Sequence, residues 1–565
     1  MTPRAEWVSD RISELLADMG IEYVALNPGA SFRGLHDSFV NHTPDRPQML
    51  LCLHEEHAVA IADGYARVTG RPMAVALHAN VGLMHATMAV YNAWCDRVPM
   101  LILGATGPVD AMKRRPWIDW IHTSADQGAL ARSFLKWDDQ PASADAAVES
   151  LLRANRVTRT APAAPVYVCL DAALQETRLE ADPAPITPAR YRARPPAAPV
   201  FGVAEAAAAL QAAERPVMLI GRVSRSEAEW DDRVRLAEAV GARVVSDITW
   251  GASFPTEHPL HVSTSLMLRG AGALEAVRDA DVLLALEWVD LGSTLRLACG
   301  GEPRATTIVC GVDEYLGNGW TKDQGGLAPA DIDLPATPGE TVRALLAQLN
   351  RAAPTTYHRQ PAPSAAPSPL PGTDGPLEMR HIAAALRDVI APGRASLVRL
   401  PLRWDGAWST FRHPLDFIGY DGGAAIGSGP GMSIGAALAL RESGRVPIAV
   451  LGDGDLAMGM SALWTAAHDR IPLLILVANN QTYGNDEVHQ RHVAEVRGRP
   501  VERAWVGQRM TEPEIDFRGL AAAQGFATAP VVRDYETLCA ELAAAVARVA
   551  AGECMLIDVR IQPEP

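Results

Sequence analysis

The 565-residue sequence has no pair of cysteines at CxxC spacing: Cys52, Cys95, Cys169, Cys299, Cys310, Cys539 and Cys554 are scattered. That excludes a thiolate zinc site and a disulfide scaffold, and it suits a reducing compartment. Positive charge is in deficit, with 51 Lys and Arg against 66 Asp and Glu and a formal net charge of −15. A nucleic-acid partner is therefore not expected. No uninterrupted apolar run approaches the roughly 20 residues of a membrane span, so no membrane partner is expected either. The start, MTPRAEWVSDRISELLADMG, reads as a charged amphipathic helix and not as a secretory signal. These absences lead to the expectation of a cytoplasmic protein. No short repeat period is visible, which argues against a solenoid.

What is present is an ordinary globular composition, 48% hydrophobic and 21% charged. Two proline-rich stretches, Ala181–Pro199 and Ala353–Pro376, read as linkers. They leave blocks at 1–180, 200–352 and 377–565, each the size of one domain. Every block alternates short apolar runs with helical patterns. The runs are EYVALNPG, MAVALHAN, VPMLILGA and APVYVCL; then RPVMLIG, ARVVSD, DVLLALEW and TTIVCGV; then SLVRL, VPIAVLGDG, IPLLILVANN and CMLIDVRI. This repetition predicts an α/β chain of three doubly wound, parallel-sheet domains.

Two runs end in polar residues, at Gly452-Asp453-Gly454 and at Asn479-Asn480, where open α/β sheets bind ligands. Glycines on either side of Asp453 predict a tight turn close to a ligand. A following helix would offer free N–H groups to a phosphate. Asp453 and Asn480, 27 residues apart, supply hard oxygens of the kind that hold Mg²⁺ together with phosphate oxygens. The Gly-rich stretch DGGAAIGSGPG (Asp421 to Gly431) lacks GxGxxG spacing and is not a dinucleotide fingerprint.

The compound GDG…NN pattern resembles the diphosphate-binding motif of thiamine diphosphate enzymes. The resemblance spans the whole chain and implies an N-terminal pyrimidine-binding, a central and a C-terminal diphosphate-binding domain. It implies Mg²⁺ on Asp453, Asn480 and the carbonyl of Thr482, with Gly452, Gly454 and Asp455 in the same motif. It also implies an N-terminal Glu that protonates the cofactor's aminopyrimidine. In LHEEHAVAIADGYAR that residue is Glu55, and Glu56 is read as a solvated helix-start carboxylate. Ile426 takes the place of the apolar wedge that bends the cofactor, and the carbonyl near Ala424 that of the amine acceptor.

Within the family the chain is similar to the benzoylformate decarboxylase and acetolactate synthase group, and SALWTAAHDRIP followed by NNQTYG is particularly similar to benzoylformate decarboxylases. So is His78 in LHAN, 23 residues after Glu55, implying a proton shuttle or substrate contact. Ala30 stands where those decarboxylases carry a substrate-binding Ser, and Ser31 follows it. Asn485, Asp486 and Glu487 replace an apolar pocket wall. That favours a more polar 2-oxo acid, or a hydroxylated acceptor, over benzoylformate. His122 and Gln127 are further pocket candidates. Arg33, Arg114 and Arg115 are candidate partners for a substrate carboxylate.

The resemblance implies decarboxylation of a 2-oxo acid, with protonation to an aldehyde or carbon–carbon bond formation with an aldehyde or ketone acceptor. An acetolactate-synthase-like carboligase, a C–C bond hydrolase and a non-catalytic regulatory paralogue stay open as alternatives. No FAD signature is visible in Val200 to Leu349. Family assembly implies a homodimer as the minimum and a homotetramer as the usual state.

Overall fold

The computed structural model describes residues 4–180, 186–264, 271–316, 326–349, 372 and 375–563. Most of Ala353–Pro376 and the first five residues of Ala181–Pro199 lie outside the described residues.

Three sheets contain all the named strands, and every pairing between those strands is parallel. The N-terminal sheet uses β1 (Tyr23–Leu26), β2 (Gln48–Leu51), β3 (Ala74–Leu77), β4 (Met100–Thr106), β5 (Trp137–Asp139) and β6 (Pro165–Asp171), in the order β2-β1-β3-β4-β6-β5. The central sheet uses β7 (Pro216–Ile220), β8 (Arg243–Ser246), β9 (His261–Thr264), β10 (Val282–Leu286), β11 (Thr306–Cys310) and β12 (Ile332–Leu334), in the order β12-β11-β10-β7-β8-β9. The C-terminal sheet uses β13 (Ala395–Arg399), β14 (Val446–Gly452), β15 (Leu473–Asn479), β16 (Ala527–Thr528) and β17 (Cys554–Arg560), in the order β13-β14-β15-β17-β16. The chain is α/β with three parallel-sheet domains, as the alternating pattern predicts.

The inner strands β3, β4, β7, β10, β14 and β15 are almost wholly apolar because both faces of the sheet are buried there. In the central sheet, Met218, Ile220, Leu284 and Leu286 enter one core. Their neighbours Val217, Leu219, Leu283 and Ala285 enter another on the opposite face. Alternate residues of β7 and β10 thus feed two cores, and both faces of these strands are apolar.

By contact density the chain divides into two compact units. One holds the N-terminal sheet together with Asp421–Ala439; the other holds the central and C-terminal sheets. Within the first unit, helix Gly429–Ala439 lies against helix Glu55–Thr69 at backbone distance. A Cβ on Gly64 would strike the Met432 carbonyl, and one on Gly435 the Ile61 carbonyl. Only glycine permits that approach.

Candidate active site

In the C-terminal sheet, Gly452 of β14 pairs with Ala478 of β15. Asp453 and the Asn479-Asn480 pair therefore leave the sheet side by side. Asp453 opens helix Asp453–Gly459 and is 3% exposed. Its Oδ1 accepts the Gly454 N–H at 2.8 Å, while its Oδ2 is buried without a hydrogen-bond partner. Burial pushes its pKa up to about 6, against the opposing pull of the Gly454, Gln481 and Thr482 N–H groups. Asn480 Oδ1 accepts the Thr482 N–H at 3.2 Å and closes the turn, and Gln481 sits at φ 58 within it. The Thr482 hydroxyl donates to Glu487 Oε2 at 3.1 Å. A buried carboxylate oxygen with no proton donor, amid amide and carbonyl oxygens, fits a hard divalent cation.

The two motif glycines serve other ends than the tight turn expected of them. Gly452 has φ −65, and a Cβ there would meet nothing within 4 Å. Gly454 makes room for an aromatic ring, since a Cβ would lie 2.6 Å from Tyr483 Cε1. Asp455 faces the buried Arg399 at 3.5 Å.

In the N-terminal sheet, three adjacent strands end together. Leu26 of β1 pairs with Leu51 of β2 and with Ala76 of β3. The segments beyond them carry Ser31, Glu55 and His78. Asn27 ties two of these segments, donating to the Cys52 carbonyl at 3.0 Å. Glu55 opens its helix and is 6% exposed. Its Oε2 lies 3.0 Å from Nδ1 of His85, on helix Ala79–Cys95. The Ser31 hydroxyl lies 2.8 Å from Nδ1 of His78, and the His122 ring stands edge-on to His78 at 4.9 Å. Burial, then His122 and Arg115, lower the His78 pKa, while Glu55 opposes them. Gly29 is required here, because a Cβ would run into the His78 ring.

Three family profiles match in order along the chain. They are "Thiamine pyrophosphate enzyme, N-terminal TPP binding domain" at residues 6–130, "central domain" at 203–290 and "C-terminal TPP binding domain" at 404–559. The chain belongs to the thiamine diphosphate-dependent enzymes. It is 27% identical to a benzoylformate decarboxylase of Pseudomonas aeruginosa, covering 83% of this chain and 85% of that protein. It is 26% identical to the acetolactate synthase isozyme 1 large subunit of Escherichia coli, covering 85% and 82%. The fold matches that of a Rhodococcus jostii thiamine diphosphate-dependent 4-hydroxybenzoylformate decarboxylase, with a TM-score of 0.80, 24% identity and 99% of each chain covered.

The other sequence-selected residues of this thiamine diphosphate enzyme are placed as follows. Ala424 has φ 51 and is exposed, and Ile426 is half-buried two residues on. Their loop is tied down by Gly422 N–H to Asp96 Oδ2 at 2.6 Å and by Asn92 to Ser428 at 3.2 Å. Ala30 and Arg33 line an open cleft of about 600 Å³. Asn485 and Asp486 are exposed on helix Gly484–Val496. Glu487 is buried, but Arg509 meets it at 3.1 Å, so it is not the uncompensated pocket carboxylate that the sequence suggests.

Gln127 is the clear correction. It is 2% exposed, and its amide donates to the Ala105 carbonyl at 3.0 Å and to the Tyr167 hydroxyl at 2.7 Å. Its amide nitrogen is thus bonded inside the protein, and its Oε1 is buried as well. The three arginines are also engaged: Arg33 with Glu176 at 3.1 Å, Arg114 with the Pro108 carbonyl at 2.7 Å and Arg115 with buried Asp119 at 2.8 Å.

Sequence reasoning missed His85. Its signal was available in Gly82-Leu-Met-His85, a Gly–His pair at i,i+3 that shares one helix face. It gave Asn479 no role apart from the Asn-Asn pair, whereas its amide donates to Asp558 Oδ1 at 2.9 Å at the strand end that carries Asn480.

Proposed function

We propose that this protein decarboxylates a 2-oxo acid without oxidation, using thiamine diphosphate and Mg²⁺. The observation that carries the reading is the buried, unpartnered Oδ2 of Asp453 beside the Asn480 turn. It is a cation position next to an open strand end. When bound, thiamine diphosphate supplies an electron sink for the carbanion left by CO₂ loss.

The chain's own residues would do the rest. Asp453, Asn480 and the Thr482 carbonyl hold the metal, and the open side of Gly452 admits the diphosphate. Ile426 supports the rings, and the carbonyl near Ala424 takes the amine. Glu55 exchanges a proton through Oε1, because Oε2 is held by His85. Ser31 engages Nδ1 of His78, which leaves Nε2 to pass a proton to the product. The polar Asn485 and Asp486 favour a polar 2-oxo acid. The Glu55 half of one chain would meet the Asp453 half of another, giving a homodimer at least and a homotetramer as the working assembly.

The test is a 2-oxo acid panel with Mg²⁺ and thiamine diphosphate, following CO₂ and products with and without an added aldehyde. CO₂ with free aldehyde supports the reading. CO₂ with a 2-hydroxy ketone makes the protein a carboligase, and no CO₂ from any acid refutes donor decarboxylation. Glu55→Gln is expected to lower kcat by about 10²-fold or more while cofactor affinity stays within a few-fold.

A further inference from the structure

The loop that carries Ala424 and Ile426 is seated on the last turn of helix Ala79–Cys95, the helix that follows His78. Asn92 and Asp96 lie four residues apart, so both face the loop. Gly422 and Gly423 meet them closely. A Cβ on Gly422 would lie 2.4 Å from Asp96 Oδ1, and one on Gly423 would lie 2.2 Å from Asn92 Oδ1. The Asn92 amide donates to the Ser428 hydroxyl at 3.2 Å, and that hydroxyl donates to Asp421 at 2.9 Å. At the other end of the loop, the Gly422 N–H donates to Asp96 Oδ2 at 2.6 Å. The same oxygen accepts from Arg67, which lies on helix Glu55–Thr69. Arg67 also donates to Asp63 at 2.7 Å. The Asp96 side chain is 3% exposed and that of Arg67 7%. A carboxylate at a helix C-terminus opposes the helix dipole, so local structure does not favour Asp96 there. Its contacts with Arg67 and Gly422 offset that cost.

We infer that Asp96 is a positioning residue: its Oδ2 fastens the Ala424–Ile426 loop, through Arg67, to the helix that Glu55 opens. The inference rests on the reading of Ile426 as the support under the cofactor's rings. Ile426 and Glu55 are far apart in the chain, yet that reading requires both to hold one fixed geometry. Asp96 joins their two segments inside the protein. It touches neither substrate nor cofactor in this scheme and acts only through the loop. One oxygen makes both contacts, because Oδ1 is buried with no hydrogen-bond partner among the described residues. An Asn can place its single oxygen where Oδ2 lies, whereas an Ala leaves the Gly422 N–H without an acceptor.

The test compares the full wild-type chain with Asp96→Ala, Asp96→Asn and Ile426→Ala, each first checked for folding by its thermal melt. In apoprotein, amide hydrogen exchange of peptides covering 421–428 is followed by mass spectrometry. Asp96→Ala is expected to speed exchange there at least about 10-fold and to leave peptides of the central sheet unchanged. With thiamine diphosphate and Mg²⁺ bound and no substrate, exchange of the cofactor's C2 hydrogen in D₂O is followed by acid quench and NMR. Asp96→Ala is expected to slow it at least about 10-fold, with cofactor affinity within a few-fold. Asp96→Asn is expected to stay within about 3-fold of wild type in both measurements, since the acceptor is kept. Should Asp96→Ala fail to fold, Gly422→Ala loosens the same contact from the loop side and is expected to give the same two changes. Wild-type loop exchange or wild-type C2 exchange in Asp96→Ala overturns the inference. So does an Asp96→Asn protein as impaired as Asp96→Ala. Slow C2 exchange in Ile426→Ala beside wild-type exchange in Asp96→Ala removes the inference alone. Wild-type C2 exchange in Ile426→Ala removes the reading of Ile426, and the inference with it.

Discussion

The Ser31 hydroxyl lies 2.8 Å from Nδ1 of His78, although the two residues are 47 apart in the chain. They meet because β1 and β3 are neighbours in register and both end there. Ser31 is 5% exposed, so its hydroxyl depends on the His78 ring. Ser31→Ala is expected to lower kcat about 10-fold with little change in KM, and His78→Ala about 10²-fold. Because Ser31 acts through His78, the double variant should fall no further than His78→Ala alone. Additive losses would show that the two work separately.

Gly29 tests the same arrangement sterically. Its φ of −156 suits any residue, so only space demands glycine. Gly29→Ala is expected to displace the His78 ring and reproduce the His78→Ala defect in kcat. The melting temperature should move by only a few degrees, because the displaced ring lies at a loop. Full turnover in Gly29→Ala would mean that His78 does not need its observed position.

The metal role proposed for Asp453 is open to a test by stability. Its folded pKa of about 6 stands above the ordinary 3.8. The folded state therefore binds the proton more tightly, and stability from this group is lost as pH rises from about 4 to 6. Two units correspond to about 3 kcal/mol. Apoprotein Asp453→Asn is expected to melt above wild-type apoprotein at pH 7.5, and Mg²⁺ with thiamine diphosphate should raise the melt of wild type only. An Asp453→Asn protein that still gains stability from the metal would remove Asp453 from the metal site.

The acid limb has the opposite sign. Burial lowers the pKa of His57 and of His261 to about 4, below the ordinary 6.5. Each is neutral when folded, and each withdraws stability as pH falls from about 6.5 to 4, on the order of 3 kcal/mol per residue. This window overlaps that of Asp453, so denaturation of single variants separates the effects. His57→Gln is expected to flatten the acid limb relative to wild type. An unchanged limb would show that burial does not shift the titration of His57.

Twelve of the strands stand out in the sequence as apolar runs, and the structure adds β2, β5, β9, β12 and β16. Each of these five lies at the edge of its sheet. An edge strand is covered less completely, and β5 and β16 are only half-buried throughout. Without full burial there is no demand for an unbroken apolar run. Gln127 shows the reverse failure: a polar residue near a loop looked accessible, yet Tyr167 and Ala105 fix it in the core.

The sequence by itself determined the α/β class, the three-part order and the pairing of GDG with Asn-Asn. Burial of parallel strands and ligand-binding strand ends both leave local residue patterns. Tertiary structure alone decided which side chains meet. The Gly452–Ala478 register brings Asp453 to the Asn480 turn. The packing of helix Ala79–Cys95 beside the Glu55 helix sets His85 on the Glu55 carboxylate. Those contacts depend on strand order and helix placement, which are set by the burial of whole faces and leave no mark at any single position.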